Sequence, residues 1–451
     1  MTVSKKPISS SSARIKTSAT TKVTDSVEEK KKLDSSDAAG FLGKGETDIQ
    51  KQEPKNLIVD RRAIPDSGLP TEHVQGVLDI ANEGSGLLRP KFAASEKDVY
   101  ISASQIRRFN LRVGDLISGQ ARRPKENERF WGLLKVEEVN GGPIDKVADR
   151  ANFDELLAVY PDAQIILSTD KDTLTTRVLD LIAPIGFGQR GLIVSPPKAG
   201  KTWLLKDILS GIAKNYPEVG KAKGGRNVHL MAALIGERPE EVTDIVRHME
   251  KVTDGKGEVA ASNFDESPGA QTRVGELALE RARRLVEEGK DVVVVLDSIT
   301  RMARAYNLAL PTSGRTLTGG FDPVALFPAK KLFGAARKIE DKGSLTILGT
   351  CLVETGSRMD DLIYEEFKGT GNMEIHLVRK LADKRIFPAI DVSLSGTRQE
   401  ELLYGKKDLE LIHTLRRMLE MVSQDERTET LLERLKKSES NRDFLDSLKV
   451  S

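Results

Sequence analysis

Residues 191–202 read GLIVSPPKAGKT, and the fold of the chain turns on them. Leu192, Ile193 and Val194 predict a buried strand, and Pro196, Pro197 and Gly200 a tight loop. The segment WLLKDILSGIAK, which starts at Trp203, predicts a helix. Strand, loop and helix in this order are the context in which Gly200-Lys201-Thr202 reads as a phosphate site. Backbone N–H groups of the loop and of the helix start would face anionic oxygens, which the helix dipole also favours. Lys201 would bring positive charge to the β- and γ-phosphates, and Thr202 a hydroxyl to Mg²⁺. Ser195 stands where the strict G-x-x-x-x-G-K-[ST] pattern has its first glycine. A chance Gly-Lys-Thr at a turn would not bring both flanking elements with it.

Around this stretch, apolar runs alternate with amphipathic segments from Thr173 onward: RGLIVS, VHLMAALIGE, DVVVVLDS, SLTILGTCLVE and MEIHLVR. Near-continuous β-branched runs predict strands buried on both faces, hence a parallel sheet covered by helices. Two carboxylates at or near the ends of these runs are candidates for chemistry. Asp297 closes VVVVL, at a strand tip where ligands bind in open α/β folds and where an acid can join a Mg²⁺ shell. Its plainer role would be to cap the helix that follows. Glu237 closes VHLMAALIG and is placed to activate a water, whereas Glu240 and Glu241 after Pro239 read as first-turn helix acids. Arg398 follows a Gly-Thr turn, a suitable mount for an arginine finger, in its own subunit or in the next. Two polar loops, residues 310–320 (LPTSGRTLTGG) and 353–360 (VETGSRMD), are rich in small residues.

Length and composition bound the rest. A chain of 451 residues should hold two or three domains. Lys and Arg number 70 against 68 Asp and Glu, a net charge of +2, so any nucleic-acid contact must come from local patches. The single cysteine, Cys351, excludes an internal disulfide and a cysteine zinc site, and its apolar run predicts a buried structural thiol. No run approaches the roughly 18–20 apolar residues of a membrane helix. Lys5 and Lys6 precede no apolar segment, so the reading is a cytoplasmic protein.

Residues 1–66 are polar and poor in large apolar side chains, and read as a disordered tail. Residues 67–142 read as a small β-barrel, with HVQGVLDI, GSGLLRP, DVYISASQI, LRVGDLISGQARRP and RFWGLLKVEEV as its strands. Arg107-Arg108 and Arg122-Arg123, interleaved with Tyr100, Phe109, Phe130 and Trp131, are the mix that single-strand binding uses, although half of such rings would be core in any barrel. Residues 143–172 read as a connector and 173–451 as the α/β domain, its last fifty residues helical in period.

Several longer segments carry a family likeness: SQIRRFNLR, GQRGLIV, PPKAGKT, ERPEEVTD, DSITRMARAYN, FGAARK, IYEEFKGTGNMEIHL, KRIFPAID and SGTR. From about Gln75 to the C-terminus the chain resembles the bacterial transcription termination factor Rho family of ring-shaped hexameric RNA helicases. The resemblance implies a cold-shock-like OB barrel joined to a RecA-like P-loop ATPase domain. It assigns Lys201 and Thr202 to phosphate and Mg²⁺, Asp297 to Mg²⁺, Glu237 to water activation, and Arg398 to a finger acting across a subunit boundary. ATP contacts fall on Gly186, Phe187, Gly188, Gln189, Arg190 and Gly191. Further ATP contacts fall on Lys198, Ala199, Gly200, Trp203 and Arg238, with Phe387 beside the adenine. RNA contacts in the barrel fall on Gly84, Ser85, Gly86, Leu87, Leu88, Arg89, Asp98, Val99, Tyr100, Glu128, Arg129 and Phe130. Those in the ring's central hole fall on Thr316, Leu317, Thr318, Gly319, Gly320 and Arg358.

The departures from the family also carry information. The family's barrel has a Gly-Phe-Gly-Phe-type stretch whose rings stack on bases, and here it reads Gly84-Ser85-Gly86-Leu87. The barrel is then expected to hold RNA mainly through phosphates, by residues such as Arg89, Arg107 and Arg108. Gly236 and Leu394 replace an acid and an arginine common in the family. The implied activity is ATP-driven 5′→3′ movement on nascent RNA that ends transcription. Its implied partners are RNA, the transcription complex and further copies of the chain, with ATP and Mg²⁺ as cofactors and no membrane. An RNA-binding chaperone with weak ATPase is the alternative.

Overall fold

The computed structural model describes residues 70–144, 150–317 and 319–449. The tail expected over residues 1–66, part of the connector and Thr318 lie outside them.

The first strands are β1 (Thr71–Ile80), β2 (Gly86–Arg89), β3 (Val99–Ile101), β4 (Leu116–Arg122) and β5 (Trp131–Val139), continued by the short β6 (Gly142–Pro143). They pair in the order β3-β2-β1-β4-β5-β6, and β3 returns onto β5, which closes a barrel and removes its edges. Leu78, Leu88, Ile101, Ile117 and Val136 fill the interior. The strand expected over DVYISASQI is shorter than its apolar pattern suggested. It stops at Ile101, and α1 (Ala103–Arg108) follows. Ser102 and Gln105 cap α1 reciprocally through their side chains and backbone N–H groups. Ile101 and Ile106 both enter the barrel core, one from a strand and one from a helix, which is why the segment mimics a continuous strand.

A linking region holds the two-residue strands β7 (Ala158–Val159), β8 (Gln164–Ile165) and β9 (Ile185–Gly186), and α2 (Leu174–Ile182). The large sheet then builds from β10 (Arg190–Ser195), β11 (Val228–Glu237), β12 (Glu258–Asn263), β13 (Asp291–Asp297), β14 (Arg337–Ile339), β15 (Ser344–Leu352), β16 (Met373–His376) and β17 (Gly396–Thr397). Its main order is β12-β11-β13-β15-β10-β16-β17. The pairings from β12 to β16 are parallel, and β17 runs antiparallel at the edge. The five apolar runs all appear as strands. β12 was missed because EVAASN is too short and too polar to stand out.

Helices cover both faces: α3 (Lys201–Asn215), α4 (Pro239–Val252), α5 (Pro268–Glu287), α6 (Ile299–Ala309), α7 (Leu326–Gly334), α8 (Arg358–Lys368) and α9 (Arg379–Asp383). The expected helical C-terminus is α10 (Lys406–Glu420), α11 (Arg427–Lys436) and α12 (Asn441–Ser447). Arg177 of α2 is buried and donates to the carbonyls of Leu435 and Ser438, which fastens these last helices to α2. Cys351 is buried in β15, and burial pushes its thiol up to about 12, in keeping with a structural role. No helix among the described residues is long and apolar enough to cross a membrane.

Asp180 of α2 is buried and accepts from the N–H groups of Leu167 and Ser168, each at 2.9 Å. Burial nevertheless raises its carboxyl to about 6, against the opposing effect of those N–H groups. An acid raised on folding binds its proton more tightly in the folded state, so its contribution to stability falls as pH rises from about 4 through 6. Relative to Asp180→Asn, the unmodified chain should lose roughly 2–3 kcal/mol between pH 4 and pH 7 in denaturant titrations. Parallel pH profiles for the two proteins would contradict this.

Candidate nucleotide and RNA sites

β10, β11, β13 and β15 end side by side, and the residues just past or at their tips converge. After Ser195 the loop turns through Lys198 (φ 65°) and Gly200 (φ 91°) into α3, whose first residues are Lys201 and Thr202. The unpaired N–H groups of that first turn face the loop. Lys201 Nζ lies 2.5 and 2.7 Å from the Asp297 carboxylate oxygens and 3.6 Å from Glu237 Oε1. Thr350 Oγ1 donates to Asp297 at 2.7 Å, and Arg301 Nε donates to Glu237 at 2.9 Å. The cap of α6 is Ser298, whose hydroxyl accepts from Arg301 N, so Asp297 is left to face Lys201.

The electrostatics follow from burial. Glu237 is raised above the ordinary range first by burial and then by Asp297, with Lys201 and Arg301 pulling the other way. Burial alone would lower Lys201, but Asp297 and Glu237 outweigh it and hold the ammonium charged. Gly236 adopts φ 66° where the β11–β12 register shifts, which turns Glu237 toward the cluster. An acidic side chain at that position would be strained.

On the other side of the loop, Ala199, Gly200, Trp203, Leu204, Phe387 and Pro388 line a cleft of about 350 Å³. A Cβ on Gly200 would come within 3.3 Å of the Phe387 ring. The cleft is apolar and suits a flat base, with the phosphate loop beside it. Arg238 is exposed and donates to Glu241 at 3.2 Å at the start of α4.

Other expected nucleotide contacts lie elsewhere. Gly186, Phe187, Gly188, Gln189, Arg190 and Gly191 precede or open β10, at the opposite end of the strand from the loop, roughly 16 Å away at the usual rise. Arg398 is at that same end. Its N–H donates to the Asn372 carbonyl, and Asn372 is bonded in turn to Arg190. One subunit therefore does not bring Arg398 to its own Lys201.

In the barrel, Ser85, Gly86, Leu87, Arg89, Tyr100 and Phe130 line a cleft of about 560 Å³. Leu88 points into the barrel core and Asp98 is buried. Arg89, expected to contact phosphates, is engaged within the barrel. Its guanidinium donates to Asp79 at 2.6 Å and to Asp98 at 2.7 Å, both buried. Glu128 is engaged by Arg122 at 2.6 and 2.8 Å, and Arg129 lies over the Phe130 ring at 5.0 Å.

The two polar loops meet. Gly319 packs so closely on Arg358 and Met359 that a Cβ there would lie 2.8 Å from Met359 N. Sequence reading missed what holds these loops. Arg304 of α6 donates to Asp360 at 2.7 and 2.5 Å, and Asn307 of α6 accepts from Asp322 N at 2.7 Å. Arg301, Arg304 and Asn307 are spaced by three in DSITRMARAYN, so one helix face was legible there. The partners of that face were not.

Residues 74–145 match the Rho termination factor RNA-binding domain, and residues 175–397 match the nucleotide-binding domain of the ATP synthase alpha/beta family. The chain is 54% identical to transcription termination factor Rho of Bacillus subtilis over 83% of this chain and 84% of that one. It is 51% identical to the Rho of Thermotoga maritima, over 82% and 84% of the two chains. For the Rho of Escherichia coli the identity is 49%, over 83% and 88%. Among solved structures, an ATPase of a bacterial type III secretion system superposes with a TM-score of 0.53 at 24% identity, covering 65% of this chain and 86% of that one. That likeness is one of fold.

Two substitutions probe the cluster. Glu237→Gln should leave nucleotide binding near normal and slow ATP hydrolysis about a hundredfold or more, as loss of a general base does. Arg301→Gln removes the cation beside Glu237, so its carboxyl should rise further and the acidic limb of the pH–rate profile should move up by about one unit. An unmoved limb in steady-state assays from pH 5 to 9 would detach Arg301 from Glu237.

Proposed function

Because the chain belongs to the transcription termination factor Rho family, we propose that it is an RNA-dependent ATPase that moves 5′→3′ along nascent RNA and releases it from the transcription complex. The observation that carries this reading is α6. One face of this helix bonds Glu237 through Arg301, Asp360 at the end of the 353–360 loop through Arg304, and Gly320 at the end of the 310–320 loop through Asn307. Nucleotide cluster and polar loops thus share one rigid element, as a motor that grips RNA according to nucleotide state requires.

In this reading the loop N–H groups and Lys201 hold the phosphates, and the cleft beside Phe387 takes the base. Among the described residues, no cluster of three or more His, Cys, Asp or Glu would hold a metal alone. This suits Mg²⁺, which uses few protein ligands together with phosphate oxygens and water. Thr202 and Asp297 would hold it, and bound there it would neutralise charge on the β- and γ-phosphates. Glu237, ionised, takes the proton of the attacking water. Its elevated carboxyl makes it a stronger base than a surface glutamate.

Arg398 and Gly186–Gly191, at the far end of the strands, fit a role at the nucleotide of an adjoining subunit, in keeping with the ring of six that the family resemblance implies. The cleft and loops would take single-stranded RNA, with the barrel as first contact and residues 316–320 and Arg358 as the grip. The protein would work in the cytoplasm, where transcripts are made.

Two measurements test this. ATP hydrolysis should be stimulated by single-stranded RNA and much less by single-stranded DNA, and equal stimulation by both would remove the RNA motor. Mixing Arg398→Ala subunits with Glu237→Gln subunits should restore activity above that of either variant alone, since some interfaces then join an intact Glu237 to an intact Arg398. Mixtures no more active than their parts, with mixed rings confirmed by mass, would return Arg398 to a role within one subunit.

A further inference from the structure

The barrel cleft has one wall that does not come from the barrel. Arg273, in the second turn of α5, lines it together with Ser85, Leu87, Tyr100 and Phe130. Its Nε donates to Asp79 Oδ1 of β1 at 2.9 Å, its Nη2 pairs with the same oxygen, and its Nη1 donates to Glu276 at 3.1 Å. The side chain is still 38% exposed, whereas that of Arg89, held between two carboxylates, is 14% exposed.

A cleft that takes splayed-out bases needs flat faces. Tyr100 and Phe130 bring rings to the cleft, but Ser85 in the β1–β2 turn and Leu87 in β2 are not flat. A guanidinium is planar and weakly hydrated, stacks on rings and donates to polar edges, so Arg273 provides the face that Ser85 and Leu87 lack. Its contacts with Asp79 and Glu276 run through the edge of the group, which leaves the faces of the plane for a base. Charge does not offer a substitute, because Asp79 and Glu83 offset Arg89 and Arg273 at the cleft wall, which leaves little general attraction for phosphates.

We propose that Arg273 is an RNA ligand whose guanidinium plane stacks on a base held in the barrel cleft, so that the first RNA site is shared between the barrel and the ATPase domain. This rests on the reading of the barrel as an RNA site given above.

The test uses the full chain and a short fluorescein-labelled single-stranded oligocytidine, followed by anisotropy, with thermal melting and nucleotide binding checked for each variant. Arg273→Ala should weaken binding roughly tenfold, the scale of one lost stacking partner. Arg273→Lys keeps the charge without the plane and should stay close to Arg273→Ala. Asp79→Asn breaks the ion pair between the domains but keeps the guanidinium, and should cost much less. Unchanged affinity in Arg273→Ala, full recovery in Arg273→Lys, or an equal loss in Asp79→Asn would each overturn the proposal. If the unmodified chain failed to bind the probe, the RNA reading of the barrel would fall, and this proposal with it.

Discussion

Two carboxylates at the tips of neighbouring buried strands are the constraint around which this molecule is arranged. Asp297 and Glu237 cannot both stay ionised out of water unless cations stand beside them. Lys201 meets both, Arg301 meets Glu237, and the Thr350 hydroxyl supports Asp297. Taking one partner from such a buried set costs on the order of 3–5 kcal/mol, so the geometry is held tightly. Much follows from it. α3 has to begin at Lys201, α6 has to begin just past Asp297, and β11 has to shift register at Gly236. A polyphosphate brought to this place meets a charged ammonium and a carboxylate whose proton affinity burial has raised.

The same cluster is tied to distant loops through α6. An eleven-residue helix moves as a unit, and its face carrying Arg301, Arg304 and Asn307 meets three different structures. Any shift of Glu237 and Arg301 with nucleotide state therefore bears on the helix that holds Asp360 and Asp322. Those two carboxylates organise the turns of the polar loops by accepting from Thr355, Thr312 and Ser313. The barrel is tied in by a separate set of contacts. Arg281 of α5 bonds Glu258 and the barrel residue Asn140, while Arg273 bonds Asp79. One face of α5 thus registers the barrel against the large sheet.

Much of the site was legible along the chain because it sits at strand ends. A carboxylate closing an apolar run, or Gly-Lys-Thr opening a helix, carries its position in the sequence itself, and that is how the sequence pointed to Lys201, Asp297 and Glu237, which the structure brings together. Arg301, Arg304 and Thr350 were not assigned roles, because an arginine one turn into a helix looks the same whether it faces solvent or a buried acid. Arg89 was expected to contact phosphates, and its local sequence does not show what it pairs with. Only its neighbours Asp79 and Asp98, ten residues before and nine after it, reveal that it is paired. The strand over DVYISASQI was overextended because alternation of apolar residues does not distinguish a strand from a strand that runs into a capped helix.

By itself the sequence determined the elements and their class: a barrel of short strands, then buried parallel strands alternating with amphipathic helices, with a phosphate loop at one junction. Those properties depend on periodicity and on residues a few positions apart, which local chemistry dictates. The tertiary structure alone decided which end of the sheet each functional group occupies. It put Lys201 and Phe387 at one end of the strands and Arg398 with residues 186–191 at the other, although all belong to segments that look alike as loops. It also brought Arg273 to a barrel strand 194 residues away. The physical reason is that strand direction and order are set by the burial of whole faces against one another. That burial is a property of the packed chain, and no single segment holds it.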